Sequence, residues 1–400
     1  MLIVQKYGGS SVADKERIMN VACRIKREYE KGNRLIVVLS AQGDTTDILK
    51  NRALEITKTP SKRELDMLLS TGEQQSVALM AICLHSIGIP AVSLNAAQFG
   101  LLSTSKYGDA RIRRIDTERL NMELEKGNVV LIAGFQGINR YNDITTLGRG
   151  ASDTTAVALA AVMNAKACEI YTDVSGVFTT DPRDVPAAVK LDAISYDEML
   201  ELASLGARIL HTRCVELAKK YSVTLYVRSS LTDEPGTCVL EDKTMEKLLV
   251  SGVTVDKNVA RISVIGVQDE PGVAFKLFSL LAKANISVDI ILQSTGRDNT
   301  QDISFTVAKD DLRAAMDVLN TNKDAIGNGV LNYDDKIAKL SVVGAGMATN
   351  PGVASLLFEA LYDVGVNIHM ISTSEIKISV LINENDAKTA VRSVHGKFIE

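Results

Sequence analysis

The last third of the chain repeats itself. Ile262-Ser263-Val264-Ile265-Gly266 is matched 78 positions on by Leu340-Ser341-Val342-Val343-Gly344. Pro271-Gly272-Val273 is matched 80 positions on by Pro351-Gly352-Val353, and Ser287-Val288-Asp289-Ile290-Ile291, again 80 on, by Asn367-Ile368-His369-Met370-Ile371. Three blocks in register point to a duplicated unit, with two extra residues in the first loop of the second copy. Each copy reads strand, Pro-Gly loop, helix, strand, strand, helix, strand, the order of a ferredoxin-like βαββαβ unit. Pro271 and Pro351 suit the first helical position, where no N–H is needed.

Upstream, short apolar runs alternate with amphipathic stretches. Leu2–Lys6, Leu35–Leu39, Ala91–Leu94, Val129–Ala133, Cys168–Tyr171 and Val223–Val227 read as strands covered on both faces. Lys15–Lys31, Arg63–Ile87, Thr117–Lys126, Thr154–Asn164, Tyr196–Ala203 and Ala207–Tyr221 read as helices. The fold class is therefore α/β, a mostly parallel sheet sandwiched by helices, followed by the two βαββαβ repeats. The chain turns polar at Glu241-Asp242-Lys243, which puts domain boundaries at 1–245, 246–335 and 336–400.

Charge is balanced, 45 basic against 49 acidic side chains for a net of −4, and no basic tract follows a phosphate backbone. Nucleic acid is not an expected partner. The five cysteines share no CxxC spacing and read as small buried hydrophobes in a reducing cytoplasm. Met1-Leu2-Ile3-Val4 gives way at once to Gln5-Lys6, unlike a signal peptide, and no apolar run is long enough for a bilayer. A cytoplasmic location with no membrane partner is expected.

Five segments carry the chemistry. Lys6-Tyr7-Gly8-Gly9-Ser10 ends the first strand: glycines let backbone N–H groups approach phosphate oxygens, and the lysine offsets charge on a transferring phosphoryl group. Ser40-Ala41-Gln42-Gly43-Asp44-Thr45-Thr46 ends the second, at the edge where open α/β sheets bind ligands. Ser70-Thr71-Gly72-Glu73 interrupts a helical pattern, so a helix break or close packing is expected at Gly72. Glu73 then either meets an ammonium group in a cleft or is a solvated surface glutamate. In Thr145-Thr146-Leu147-Gly148-Arg149-Gly150-Ala151-Ser152-Asp153 the glycines free the backbone around Arg149, whose planar fork suits a carboxylate, while Ser152 and Asp153 read as helix caps. Tyr171-Thr172-Asp173 followed by Phe178 and Asp181-Pro182-Arg183 reads as a nucleotide-holding loop. Val342-Val343-Gly344-Ala345-Gly346 resembles the start of a dinucleotide fingerprint, but position 349 is threonine and the segment repeats Val264–Gly266.

These motifs, in this order and spacing, resemble those of the aspartate kinases in the amino-acid kinase superfamily, with a tail similar to paired ACT domains. The resemblance spans essentially the whole chain. It implies ATP with magnesium as cofactors, no metal site built from protein alone, and L-aspartate as substrate, in the first step of the lysine, threonine and methionine branch. By resemblance Lys6 and Asp153 are catalytic, and Lys6, Gly8, Gly9, Ser40, Thr172, Asp173, Phe178, Asp181 and Arg183 bind ATP. Thr46, Glu73, Arg149 and Ser152 bind aspartate. Relatives often carry tyrosine where this chain has Phe178, and a lysine near the Val227-Arg228-Ser229-Ser230 run, so that contact stays open. Asp269, Ala274, Ser287, Val288, Asp289 and Gln293 in the first repeat, with Val353, Ala354, Asn367, Ile368 and Ser374 in the second, are the implied sites for lysine and/or threonine as inhibitors. The resemblance also implies a homodimer or larger assembly through the ACT domains, or an α2β2 form with a subunit starting at Met245. No fused homoserine dehydrogenase is expected. Another enzyme of the superfamily and a catalytically silent amino-acid sensor are the alternatives.

Overall fold

The computed structural model of the chain describes residues 1–148, 150–206, 209–241, 249–296, 300–327, 329–345, 347, 350 and 352–399. It divides into two compact units. The first comprises Met1–Phe178, Lys190–Ala203 and Arg208–Met245, and the second Thr179–Val189, Ser204–Ala207 and Glu246–Glu400.

Among the described residues of the first unit, eight strands form one sheet in the order Ala193–Ser195, Thr237–Leu240, Leu225–Ser229, Ala167–Thr172, Leu2–Tyr7, Arg34–Leu39, Val129–Ala133, Ala91–Leu94. Only the 225–229/237–240 pair is antiparallel. The apolar run Leu35–Leu39 is wholly buried because helices cover both faces. Parallel pairing brings the C-terminal ends of 2–7, 34–39, 129–133 and 167–172 to one edge, where the loops carrying the chemistry leave the sheet.

Of the two expectations at Gly72, close packing holds: the helix Lys62–Ser86 runs through it unbroken, and a Cβ there would lie 2.8 Å from the Ala41 Cβ. Gly150, at φ +72°, caps a helix that starts at Ala151, so Ser152 and Asp153 lie inside its first turn and are not its caps. The helix Thr45–Ile56 and a small sheet ordered Ile112–Ile115, Leu101–Ser103, Gln136–Ile138, Ile144–Thr146 were not read from sequence. Of the cysteines, Cys168 and Cys214 are buried, whereas Cys23 is exposed.

The second unit holds two antiparallel four-stranded sheets, in the orders Ile291–Thr295, Thr300–Val307, Ala260–Gln268, Val330–Asp334 and Gly252–Asp256, Ile337–Val343, Lys377–Asn383, Met370–Thr373. The first copy keeps the expected order. The second does not end in a strand of its own: Ala387–Ile399 is helix, and the open edge of Ile337–Val343 is taken by Gly252–Asp256, from upstream of the first copy. This pairing covers an edge that would otherwise expose a row of unpaired backbone groups. Pro271 also differs from expectation. Gly272 at φ +97° caps a helix beginning at Val273, leaving Pro271 outside it, and Pro351 lies outside the described residues. The segment Thr179–Val189 packs in this unit: the Thr179 carbonyl accepts from the Val253 N–H at 2.7 Å, and Val185 joins the core of the second copy. Among the described residues no helix is long and apolar enough to cross a membrane.

Candidate active site

Lys6 stands near the end of the first strand with its side chain largely enclosed, and its Nζ lies 2.7 Å from Oδ1 of Asp153. Parallel pairing supplies the lysine and the first turn of helix Ala151–Val162 supplies the carboxylate, so the charge pair sits at the sheet's C-terminal edge. The Gly8-Gly9 turn passes close by. A Cβ on Gly9 would fall 2.5 Å from the Ala41 carbonyl oxygen, which admits glycine alone. The Gly8 N–H donates to the Tyr171 carbonyl at 3.3 Å, so this glycine contributes close approach and not a spare donor.

Glu73 is buried at 3% exposure, which rules out the solvated-surface reading. Its Oε1 accepts from the Ala41 N–H at 3.2 Å, and burial pushes its pKa up to about 7. The carboxylate therefore lies beside Ser40, whose N–H donates to the Tyr7 carbonyl at 3.1 Å. Thr46 is half-buried in the first turn of helix Thr45–Ile56. Gly134 follows the strand Val129–Ala133, and Ser152 lies so near that a Cβ on Gly134 would come 2.7 Å from its Oγ. Lys6, Ser40, Glu73, Ser152 and Asp153 thus belong to one strand-end neighbourhood. Arg149 lies outside the described residues.

The segment leading to position 149 is held by two residues that sequence reasoning missed. Asp66, 1% exposed, accepts from the Gly108 N–H and the Thr146 N–H at 2.9 Å, and from the Thr146 hydroxyl at 2.7 Å. Burial pushes its pKa up against those hydrogen bonds. Arg213 donates to the Leu147 carbonyl at 2.8 Å and the Ala110 carbonyl at 3.0 Å. A pocket of about 250 Å³ opens here between Arg111, Gly148, His211, Arg213 and Glu216. Neither residue had a local signal, since each sits in a helical pattern where an isolated charge reads as a surface group.

At the nucleotide segment, Thr172 ends its strand and its hydroxyl donates to Asp173 at 3.0 Å; Asp173 is exposed. Half-buried Phe178 bridges to Lys190. Asp181 and Arg183 fall in the second unit and pair with each other at 2.7 Å, which holds the Asp181 carboxyl below its ordinary range. Arg228, near the contact left open, lies 3.4 Å from Glu169, and the Ser11 hydroxyl donates to Ser230 at 2.8 Å.

In the repeats, Asp269, Ser287, Asp289, Gln293, Asn367 and Ser374 are exposed; Ala274, Val288, Ala354 and Ile368 are half-buried, and Val353 is buried. Gln301, also missed, bridges two of these positions: it donates to Asp269 and accepts from Gln293. Asp289 pairs with the buried ammonium of Lys339 from the second copy.

This combination of sheet, strand-end lysine and duplicated tail defines an ATP-dependent kinase of the amino acid kinase family. That family's model matches residues 1–229, and the ACT domain model matches 262–322 and 340–398. An aspartokinase of Geobacillus stearothermophilus is 50% identical over 398 residues, covering 99% of this chain and 97% of the relative. One of Mycolicibacterium smegmatis is 48% identical over 403 residues, covering 99% and 96%. The crystal structure of E. coli aspartokinase III in complex with aspartate and ADP is similar at a TM-score of 0.84 and 25% identity, with both chains fully covered. The chain belongs to the aspartokinase family.

Proposed function

We propose that this kinase transfers the γ-phosphoryl group of ATP to the side-chain carboxylate of L-aspartate, giving ADP and 4-phospho-L-aspartate. The observation that carries this reading is Lys6 held by Asp153 beside the buried carboxylate of Glu73. A substrate β-carboxylate has an ordinary pKa of about 3.9 and is ionised at neutral pH, so its oxygen attacks phosphorus without a general base. The bond from phosphorus to the β,γ-bridging oxygen breaks, and ADP leaves with that electron pair. The obstacle is repulsion between two anions, which Lys6 offsets while Asp153 fixes its ammonium in place.

Glu73 receives the substrate ammonium, Arg149 its α-carboxylate, and Thr46 and Ser152 hydrogen-bond the remainder. Gly8, Gly9, Ser40, Thr172, Asp173 and Phe178 hold the nucleotide; Asp181 and Arg183 are assigned to it by resemblance alone. Magnesium fits the site's chemistry, because hard oxygen donors such as the Asp153 carboxylate, together with phosphate, are what it takes, and it supplies further positive charge at the phosphates. Lysine and/or threonine inhibit through the repeats, placing the reaction at the head of the lysine, threonine and methionine branch. Association runs through the repeats, either between full-length copies or with a shorter chain starting at Met245, a residue outside the described ones.

Substrate assignment is tested by Arg149→Lys. KM for aspartate is expected to rise about tenfold with KM for ATP nearly unchanged, because a point charge cannot replace a bidentate fork. A shift confined to the ATP KM assigns the segment to the nucleotide and defeats the reading.

A further inference from the structure

Gly148 and Gly150 flank position 149 with φ of +91° and +72°, conformations that leave the backbone soft unless something outside the segment fixes it. Residues 211–213 supply that constraint from both sides. Before position 149, the planar fork of Arg213 spans two main-chain carbonyls, Leu147 at 2.8 Å and Ala110 at 3.0 Å. The same Ala110 donates its N–H to the Thr146 carbonyl at 2.9 Å, and the Leu147 N–H donates to the Phe135 carbonyl at 2.8 Å. After it, His211, which caps the helix Thr212–Tyr221, lies against Gly150: a Cβ there would stand 2.9 Å from the imidazole Cδ2. Asp66 holds Thr146 by accepting from both its N–H and its hydroxyl. Phe135 itself is held at φ +69°, an uncommon conformation for a bulky residue.

We propose that Arg213 is a positioning residue for the amino-acid substrate: it fixes the Thr145–Asp153 segment so that Arg149 and Ser152 meet the substrate, and it does not touch the substrate itself. The inference rests on reading that segment as the aspartate-binding one. A guanidinium suits this place because its two terminal nitrogens, held in one rigid plane, each reach one carbonyl, whereas a lysine carries its donors on a single flexible nitrogen. Misplacing the segment costs the amino acid its contacts, whereas the Gly8-Gly9 turn is held separately, by the Tyr171 carbonyl and against Ala41.

The test is steady-state kinetics of the full chain as wild type, Arg213→Met, Arg213→Lys and Arg149→Lys, with thermal unfolding of each. Arg213→Met is expected to raise KM for aspartate about tenfold or more, since loss of preorganisation is felt by the substrate it orients. KM for ATP should stay within about twofold, and Arg213→Lys should recover part of the loss. If Arg149→Lys raises the aspartate KM and Arg213→Met does not, the positioning role is overturned and the functional reading stands. An unchanged aspartate KM in Arg149→Lys overturns the functional reading, and the inference with it. Should Arg213→Met not fold, Arg213→Lys decides: an aspartate KM that rises more than the ATP KM supports the role, and equal changes in both overturn it.

Discussion

The carboxylates at the candidate sites are placed in opposite ways in the two units. At the strand ends of the first, Asp66, Glu73 and Asp153 are buried, and each is held by a neighbour: Thr146 and Gly108, Ala41, and Lys6. In the second, Asp269, Asp289 and Gln293 are exposed, joined by surface hydrogen bonds through Gln301 or paired with Lys339. Buried, fixed charge acts on a transition state without reorganising, as phosphoryl transfer requires. Exposed groups are free to gather around a small ligand and bias one of two arrangements, as a sensor requires.

The sharpest way to break this contrast is at Lys6. Lys6→Ala should lower kcat roughly a hundredfold or more, on the order of 3 kcal/mol, with the fold intact by circular dichroism. Near wild-type kcat at saturating ATP would remove the first unit's side of the comparison.

Glu73 comes next. Its pKa of about 7 stands above the ordinary 4.5 because burial disfavours the charged form. Its contribution to stability is present below 4.5 and lost as pH rises through about 7. Binding an ammonium demands the ionised form, so kcat/KM for aspartate should fall as pH drops below about 7. Glu73→Gln should flatten that limb, lower kcat/KM about tenfold, and leave the substrate-free protein more stable than wild type at pH 8. A pH profile unchanged by the substitution would mean that Glu73 serves packing alone.

The smallest effect on turnover is expected in the repeats. Substituting Gln293 or Ser374 with alanine should relieve inhibition by lysine or threonine while changing uninhibited kcat less than about twofold, since an effector site of the proposed kind works through a coupling free energy of about 1–3 kcal/mol and not on the chemical step. If millimolar lysine and threonine, singly or together, leave the wild type uninhibited, the exposed groups are not a sensor.

How much of this was legible depended on range. The sequence places a helix at Lys15–Lys31 and the structure has Lys15–Glu30; it places a strand at Leu35–Leu39 and the structure has Arg34–Leu39, because buried apolar runs and 3.6-residue periodicity are local signals. The duplication was legible because both copies solve one packing problem: residues 281–290 and 361–370 show the same sequence of buried and exposed positions. The borrowed strand Gly252–Asp256 was not legible, since its pairing with Ile337–Val343 spans more than a whole repeat. Nor were the strands 101–103, 136–138 and 144–146, which are too short for an alternation to show. At the site, the glycine, threonine and lysine signals mark strand ends that the structure brings to one edge of the sheet. Buried Asp66 and half-buried Arg213 act through backbone groups far away in sequence, and no local pattern distinguishes them from surface charge.

The central claim is chemical, and trapping the product tests it most directly. Incubating the full chain with ATP, magnesium, hydroxylamine and each candidate acceptor converts any acyl phosphate formed into a hydroxamate. The account predicts β-aspartyl hydroxamate in equal amount to ADP, formed with L-aspartate and not with L-glutamate. ADP released without hydroxamate, or hydroxamate formed only with another acceptor, would contradict it.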